Sequence, residues 1–71
     1  MVVVGRILKQ VGKKIKKYRE QKGYTQEELA EKIRVSSTYI GFIEQGLRNP
    51  SLKTADKIAR ALGVKLTDII S

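Results

Sequence analysis

The chain has no cysteine and no histidine among its 71 residues. The first absence removes disulfides and thiolate metal sites. The second removes the commonest metal ligand and the commonest general base. The seven carboxylates are scattered, so a carboxylate metal centre is not expected either. No Ser/His/Asp or Cys/His set and no phosphate-binding glycine loop can be assembled from these residues. An enzyme, a metal and a cofactor are therefore all unexpected. Long apolar runs are missing as well: Met1-Val2-Val3-Val4 is far too short for a signal-peptide core or a membrane span. The expectation is a cytoplasmic protein of one domain, with no membrane partner and no room for an effector-binding domain. A core this small needs well-packed helices or a partner subunit.

What is abundant is positive charge. Fifteen Lys and Arg against seven Asp and Glu leave a net +8. The excess is lopsided: residues 1–22 carry eight bases and one acid, whereas residues 23–71 carry seven bases and six acids. Such a field favours a polyanionic partner, namely DNA, RNA or an anionic membrane surface. A solvated lysine face that only maintains solubility is the plain alternative.

Periodicity reads as helix throughout. Leu8, Val11, Ile15 and Tyr18 make one apolar stripe, which predicts a helix over residues 5–21. Gly12 weakens it by about 1 kcal/mol relative to alanine, so the helix could instead begin there. The Val2-Val3-Val4 run reads as a disordered tail, an extended arm or a dimer contact. Thr25-Gln26-Glu27-Glu28 is a capping box opening a second helix, whose inner face is Leu29, Ala30 and Ile33. Tyr24, just before the cap, suits a hydrophobic staple. After a short turn at Arg34-Val35, Ser36 is placed to cap a third helix over residues 37–45, with Ile40 and Ile43 inward. Leu52, Ala55, Ile58, Ala59 and Leu62 form a strong stripe for a fourth helix, and residues 66–70 a short fifth. Gly23, Gly46 and Gly63 follow periodic segments, as residues at left-handed helix ends do. Leu66, Ile69 and Ile70 form a small apolar end that suits a core cap or a second subunit. The fold class expected is all-α.

Two short helices joined by a tight turn, the second opening on polar residues, have the layout of a helix-turn-helix. A helix fits the major groove and presents its first turn to base edges, and its free amides favour phosphates. The stretch Gln26-Glu-Glu-Leu-Ala30-Glu-Lys-Ile-Arg34-Val-Ser36-Ser-Thr-Tyr-Ile40-Gly-Phe-Ile-Glu44-Gln-Gly46, followed by Arg48-Asn49-Pro50-Ser51-Leu52, resembles the phage-repressor (Cro/repressor, XRE-like) helix-turn-helix family. The likeness extends over about residues 11–70. It implies a compact five-helix repressor-like DNA-binding domain over residues 11–71, with the helix-turn-helix at helices 2 and 3, and an N-terminal extension over residues 1–10.

The resemblance also implies roles. Gln26 matches a glutamine that binds a backbone phosphate and braces the recognition helix. Ser37 and Thr38 match base-facing positions, and Ser36 and Tyr39 match positions that touch phosphate. Phe42 matches a further base-facing position, while Arg48 and Asn49 match a loop that grips the next phosphates. Glu44 matches an acidic position that is structural more often than reading. This sequence departs from the pattern at three places: Arg34 where the turn usually has glycine, Gly41 where serine is common, and Phe42 in place of a polar reader. Phe42 could meet a thymine methyl, wedge into a base step, or serve a protein interface. The lysines of the first helix are expected to supply long-range attraction to DNA more than contacts. Together these residues imply sequence-specific binding of double-stranded DNA by a homodimeric transcriptional regulator. The rival reading is an interaction module, of antitoxin or coactivator type, that uses the same fold to hold a protein partner.

Overall fold

Hydroxyl side chains start the three central helices where the sequence suggested. The computed structural model describes the backbone of residues 2–70 and the side chains of residues 7–70. Its helices are α1 (Val2–Lys22), α2 (Gln26–Ile33), α3 (Ser37–Glu44), α4 (Leu52–Leu62) and α5 (Leu66–Ile70), with no strand among the described residues. Thr25 Oγ1 accepts from the Glu28 amide at 3.0 Å while the Thr25 amide donates to Glu28 Oε1 at 2.8 Å, which completes the capping box. Ser36 accepts from the Tyr39 amide and Ser51 from the Thr54 amide, each at 3.1 Å. Each such cap contributes about 1 kcal/mol to its helix.

The helices end as predicted, with one substitution of residue type. Arg34 closes α2 in the left-handed conformation, φ 62° and ψ 49°, and its amide donates to the carbonyls of Ala30 and Glu31. Among the described residues it is the only non-glycine with positive φ, a conformation that costs an L-residue about 1 kcal/mol. The turn survives that cost because Val35 N–H closes onto the Ala30 carbonyl at 3.0 Å, which sends the chain directly into the Ser36 cap.

The core sits where all five helices meet. Ile15 of α1, Leu29 of α2, Ile40 and Ile43 of α3, Ile58 of α4 and Ile69 of α5 are essentially solvent-free. Burying side chains of this size stabilises the fold by roughly 1.5–3 kcal/mol each. α2 packs on α3 and α4, while α1 lies across α3, α4 and α5. Ile69 caps the core, as one of the two roles considered for this apolar end expected, and Ile70 beside it stays exposed. No helix among the described residues is long and apolar enough to cross a membrane.

Two expectations about α1 change. The helix runs unbroken from Val2, so the backbone of residues 2–4 is helical and not an extended arm; what their side chains do lies outside the described residues. Gly12 is not a helix start. A Cβ built there would meet the Ile43 carbonyl oxygen at 2.4 Å and the Glu44 carbonyl oxygen at 2.6 Å. Gly46, at φ 77°, makes a similar approach, with the Lys9 Cα 3.1 Å from its Cβ position. The two glycines let α1 and the end of α3 touch backbone to backbone. Gly12 gives up helix propensity for that close approach.

Candidate nucleic-acid interface

α3 has a buried rear and an exposed front. Its rear is held by Glu44, a carboxylate almost removed from solvent. Arg19 of α1 meets it with two donors, Nε to Oε2 at 2.6 Å and Nη2 to Oε1 at 3.1 Å, and a third donor, Nη1, reaches the Tyr24 carbonyl at 2.7 Å. Gln26 completes the set: its Nε2 donates to Glu44 Oε1 at 3.0 Å. Bidentate arginine–carboxylate pairs of this kind fix orientation as well as charge. The hydrogen bond from Arg19 to Glu44 holds the guanidinium above its ordinary pKa, and burial opposes this more weakly. Arg19 is therefore charged at every working pH.

This cluster determines how Gln26 is held. As the first residue of α2 it is half-buried, with its amide nitrogen committed to Glu44. The Gln26 Oε1 lies 3.6 Å from where a Gly41 Cβ would be, so the side chain crosses a stretch of α3 that carries no side chain. Gln26 and α3 are thus held against each other through Glu44.

At the front, Ser37 and Thr38 occupy the first turn of α3, half-buried and exposed respectively. The Ser36 oxygen is used as the cap, which leaves the hydroxyl proton available for an outside acceptor. Tyr39 packs its ring against the core while remaining partly open. The Arg48 guanidinium lies 5.7 Å from the centre of that ring, within cation–π range. Phe42, one turn beyond Thr38, is 40 % exposed.

The loop after α3 is tied to the same helix. The amides of Leu47 and Arg48 both donate to the Phe42 carbonyl, at 2.9 and 3.3 Å. Arg48 and Asn49 therefore sit exposed beside the end of α3, at a fixed offset from it. The geometry brings the candidates together in two linked groups, Gln26 against α3 through Glu44, and Ser36, Tyr39, Phe42 and Arg48 through the cap, the ring and the shared carbonyl.

Sequence reasoning passed over Arg19 and misread Gly12. One signal for Arg19 was available: it stands four residues after Ile15, a continuation of the inward stripe of α1. An arginine on such a stripe requires a buried acid, and Glu44 is that acid.

The comparisons with known proteins agree with this architecture. Residues 15–69 match the helix-turn-helix family model HTH_3. The HTH-type transcriptional regulator SinR of Bacillus licheniformis is 39 % identical over 62 residues, which cover 86 % of this chain and 56 % of that protein. The immunity repressor protein of Bacillus phage phi105 is 42 % identical over 60 residues, 84 % of this chain and 42 % of the repressor. The chain thus spans about half the length of these two regulators. Among solved structures, the biofilm master regulator SinR in complex with DNA superposes with a TM-score of 0.81 at 39 % identity, covering 86 % of this chain and 98 % of that one. With its capped helix pair, its Arg34 turn and its buried Glu44 brace, the chain belongs to the helix-turn-helix family of DNA-binding transcriptional regulators.

Proposed function

We propose that this chain binds double-stranded DNA sequence-specifically as a transcriptional regulator, with α3 in the major groove. The carrying observation is the asymmetry of α3. Its rear is immobilised by Arg19, Glu44 and Gln26, and its first turn offers Ser37 and Thr38 to an outside surface. A reading helix needs both, since hydrogen bonds to base edges require side chains held in register. In this reading Gln26, Ser36, Tyr39, Arg48 and Asn49 meet backbone phosphates. Ser37, Thr38 and Phe42 meet bases, with Phe42 against a thymine methyl or a base step. The strongly basic α1 adds long-range attraction.

Serine and threonine hydroxyls accept and donate alike, so one such helix discriminates weakly. A homodimer reading two half-sites roughly 34 Å apart supplies the missing selectivity. Exposed Ile70, next to buried Ile69, offers an apolar edge for the second subunit. The site of action is the cytoplasm.

Selection of bound duplexes from a random pool tests the reading directly. The expected winner is a palindrome, with log affinity falling linearly and steeply against log salt. A pool that emerges unenriched at near-physiological ionic strength overturns it. Phe42→Ala is expected to relax preference at one base position while leaving the rest of the winning site unchanged.

A further inference from the structure

A second charged feature lies between the C-terminal halves of α2 and α4, and none of its lining residues is among those placed on the DNA. It is an open cleft of about 610 Å³ lined by Lys32, Arg34, Lys57 and Arg60, with Tyr24 and Ile33 among the remaining lining residues. The concentration of charge is unusual for this part of the chain. Residues 23–71 contain seven bases (Lys32, Arg34, Arg48, Lys53, Lys57, Arg60 and Lys65) and six acids. Four of those bases line this one cleft, and none of the acids does. Arg60 is paired with Asp56 at 2.9 Å, and Lys32 sits 4.9 Å from the centre of the Tyr24 ring. Among the described residues, Lys32, Arg34 and Lys57 have no carboxylate within ion-pair distance.

The backbone supplies an independent observation. Arg34 occupies a left-handed position where glycine would be free of strain. Its side chain lines the cleft, and residues in strained conformations are often found where their side chains have a role. Cations of one sign gathered on a shared open surface also add their fields toward an anion.

We propose that this cleft is a second anion site that takes a small free ligand bearing two or three phosphate groups. Arg34 forks onto one phosphate, and Lys32 and Lys57 neutralise its neighbours from the two helices. Inorganic tripolyphosphate is the probe. Titrated into the full chain at near-physiological ionic strength and followed by amide chemical shifts, it is expected to move residues 24, 32–34 and 57–61. Arg34→Gly combined with Lys57→Gln is expected to weaken it about tenfold or more, the scale of losing two charge-assisted contacts. Glycine relieves the backbone at position 34, so the variant folds. The control Lys13→Gln with Lys16→Gln removes the same charge from exposed positions of α1. It is expected to change tripolyphosphate affinity by less than about twofold, as long-range screened charge does. Equal weakening by both pairs, or shifts spread along α1, reduces the effect to net charge and overturns the site. Duplex DNA affinity is expected to change equally in the two variants. A selective loss in the Arg34→Gly, Lys57→Gln variant instead assigns the cleft to the DNA footprint and overturns the free-ligand proposal. The tripolyphosphate arm needs no DNA, so its outcome is independent of the operator.

Discussion

The seam between α1 and α3 and the cleft between α2 and α4 are built on opposite principles. In the seam, Gly12 and Gly46 bring two backbones together with no space for a methyl group, and the buried charges Arg19 and Glu44 satisfy each other. In the cleft, which opens at the edge of the packed α2–α4 pair, the lining charges are of one sign. A closed seam with paired charge fixes position. An open cleft with unpaired charge leaves electrostatic free energy to be recovered by something outside the protein. The same small core supports both because α2 is shared: Leu29, Ala30 and Ile33 anchor its inner face, Gln26 turns toward α3, and Lys32 and Arg34 turn toward α4.

Breaking the seam has the largest effect. Arg19→Met leaves Glu44 buried without its partner, and a loss of about 3–5 kcal/mol is expected, read as a shift of the urea midpoint. Adding Glu44→Leu to it should recover much of that loss, because both charges are then gone. If the double variant is no more stable than Arg19→Met, the ion pair is not what holds the rear of α3. Gly12→Ala comes next. Its Cβ collides with two carbonyl oxygens, and after the gain in helix propensity a net loss of about 2–3 kcal/mol remains. Thermal unfolding should then fall by roughly 10–20 °C. Gln26→Ala leaves the Gly12–Gly46 contact and the Arg19–Glu44 pair in place and removes one brace from the rear of α3, together with the proposed phosphate contact. It is expected to weaken binding about tenfold for every duplex alike, measured by fluorescence anisotropy on matched and scrambled sites. Loss confined to one sequence would contradict a phosphate role.

The smallest effects sharpen the contrast. Gly41→Ala places a methyl group 3.6 Å from the Gln26 amide, an ordinary contact, so unlike Gly12→Ala it should raise stability by up to about 1 kcal/mol. Two glycines, both facing a neighbouring helix, are thus expected to respond with opposite signs. On the cleft side, Lys57→Ala should leave the unfolding midpoint unchanged, as exposed substitutions away from caps and cores do.

How much of this was legible in the sequence follows from the range of each interaction. The limits of α2, α3, α4 and α5 were readable because their signals lie within four residues: the Thr25–Glu28 box, the Ser36 cap, the Leu52 to Leu62 stripe. The Arg34 turn was readable from the short gap between two stripes, even with an unexpected residue in it. Gly12 was misread because glycine lowers helix propensity locally, and only the fold reveals that another backbone passes 2.4 Å from its missing Cβ. Arg19 and Glu44 lie 25 residues apart, beyond any periodic signal. The cleft was invisible for the same reason: Arg34 and Lys57 belong to different stripes, and neither stripe points to the other. For the candidate interface, the family likeness supplied the residue positions and the idea that Gln26 braces α3, whereas the Glu44 and Arg19 partners of that brace were visible only in the fold.

The Phe42 carbonyl that accepts from both Leu47 and Arg48 makes the protein a gauge of fixed span. In the proposed reading, rocking of α3 in a groove carries the Arg48 backbone with it, so the helix and the start of the loop adjust to a duplex together. A sequence whose groove is too wide or too narrow for that span must itself deform to be bound. Base pairs that no side chain touches then contribute to selection through their stiffness.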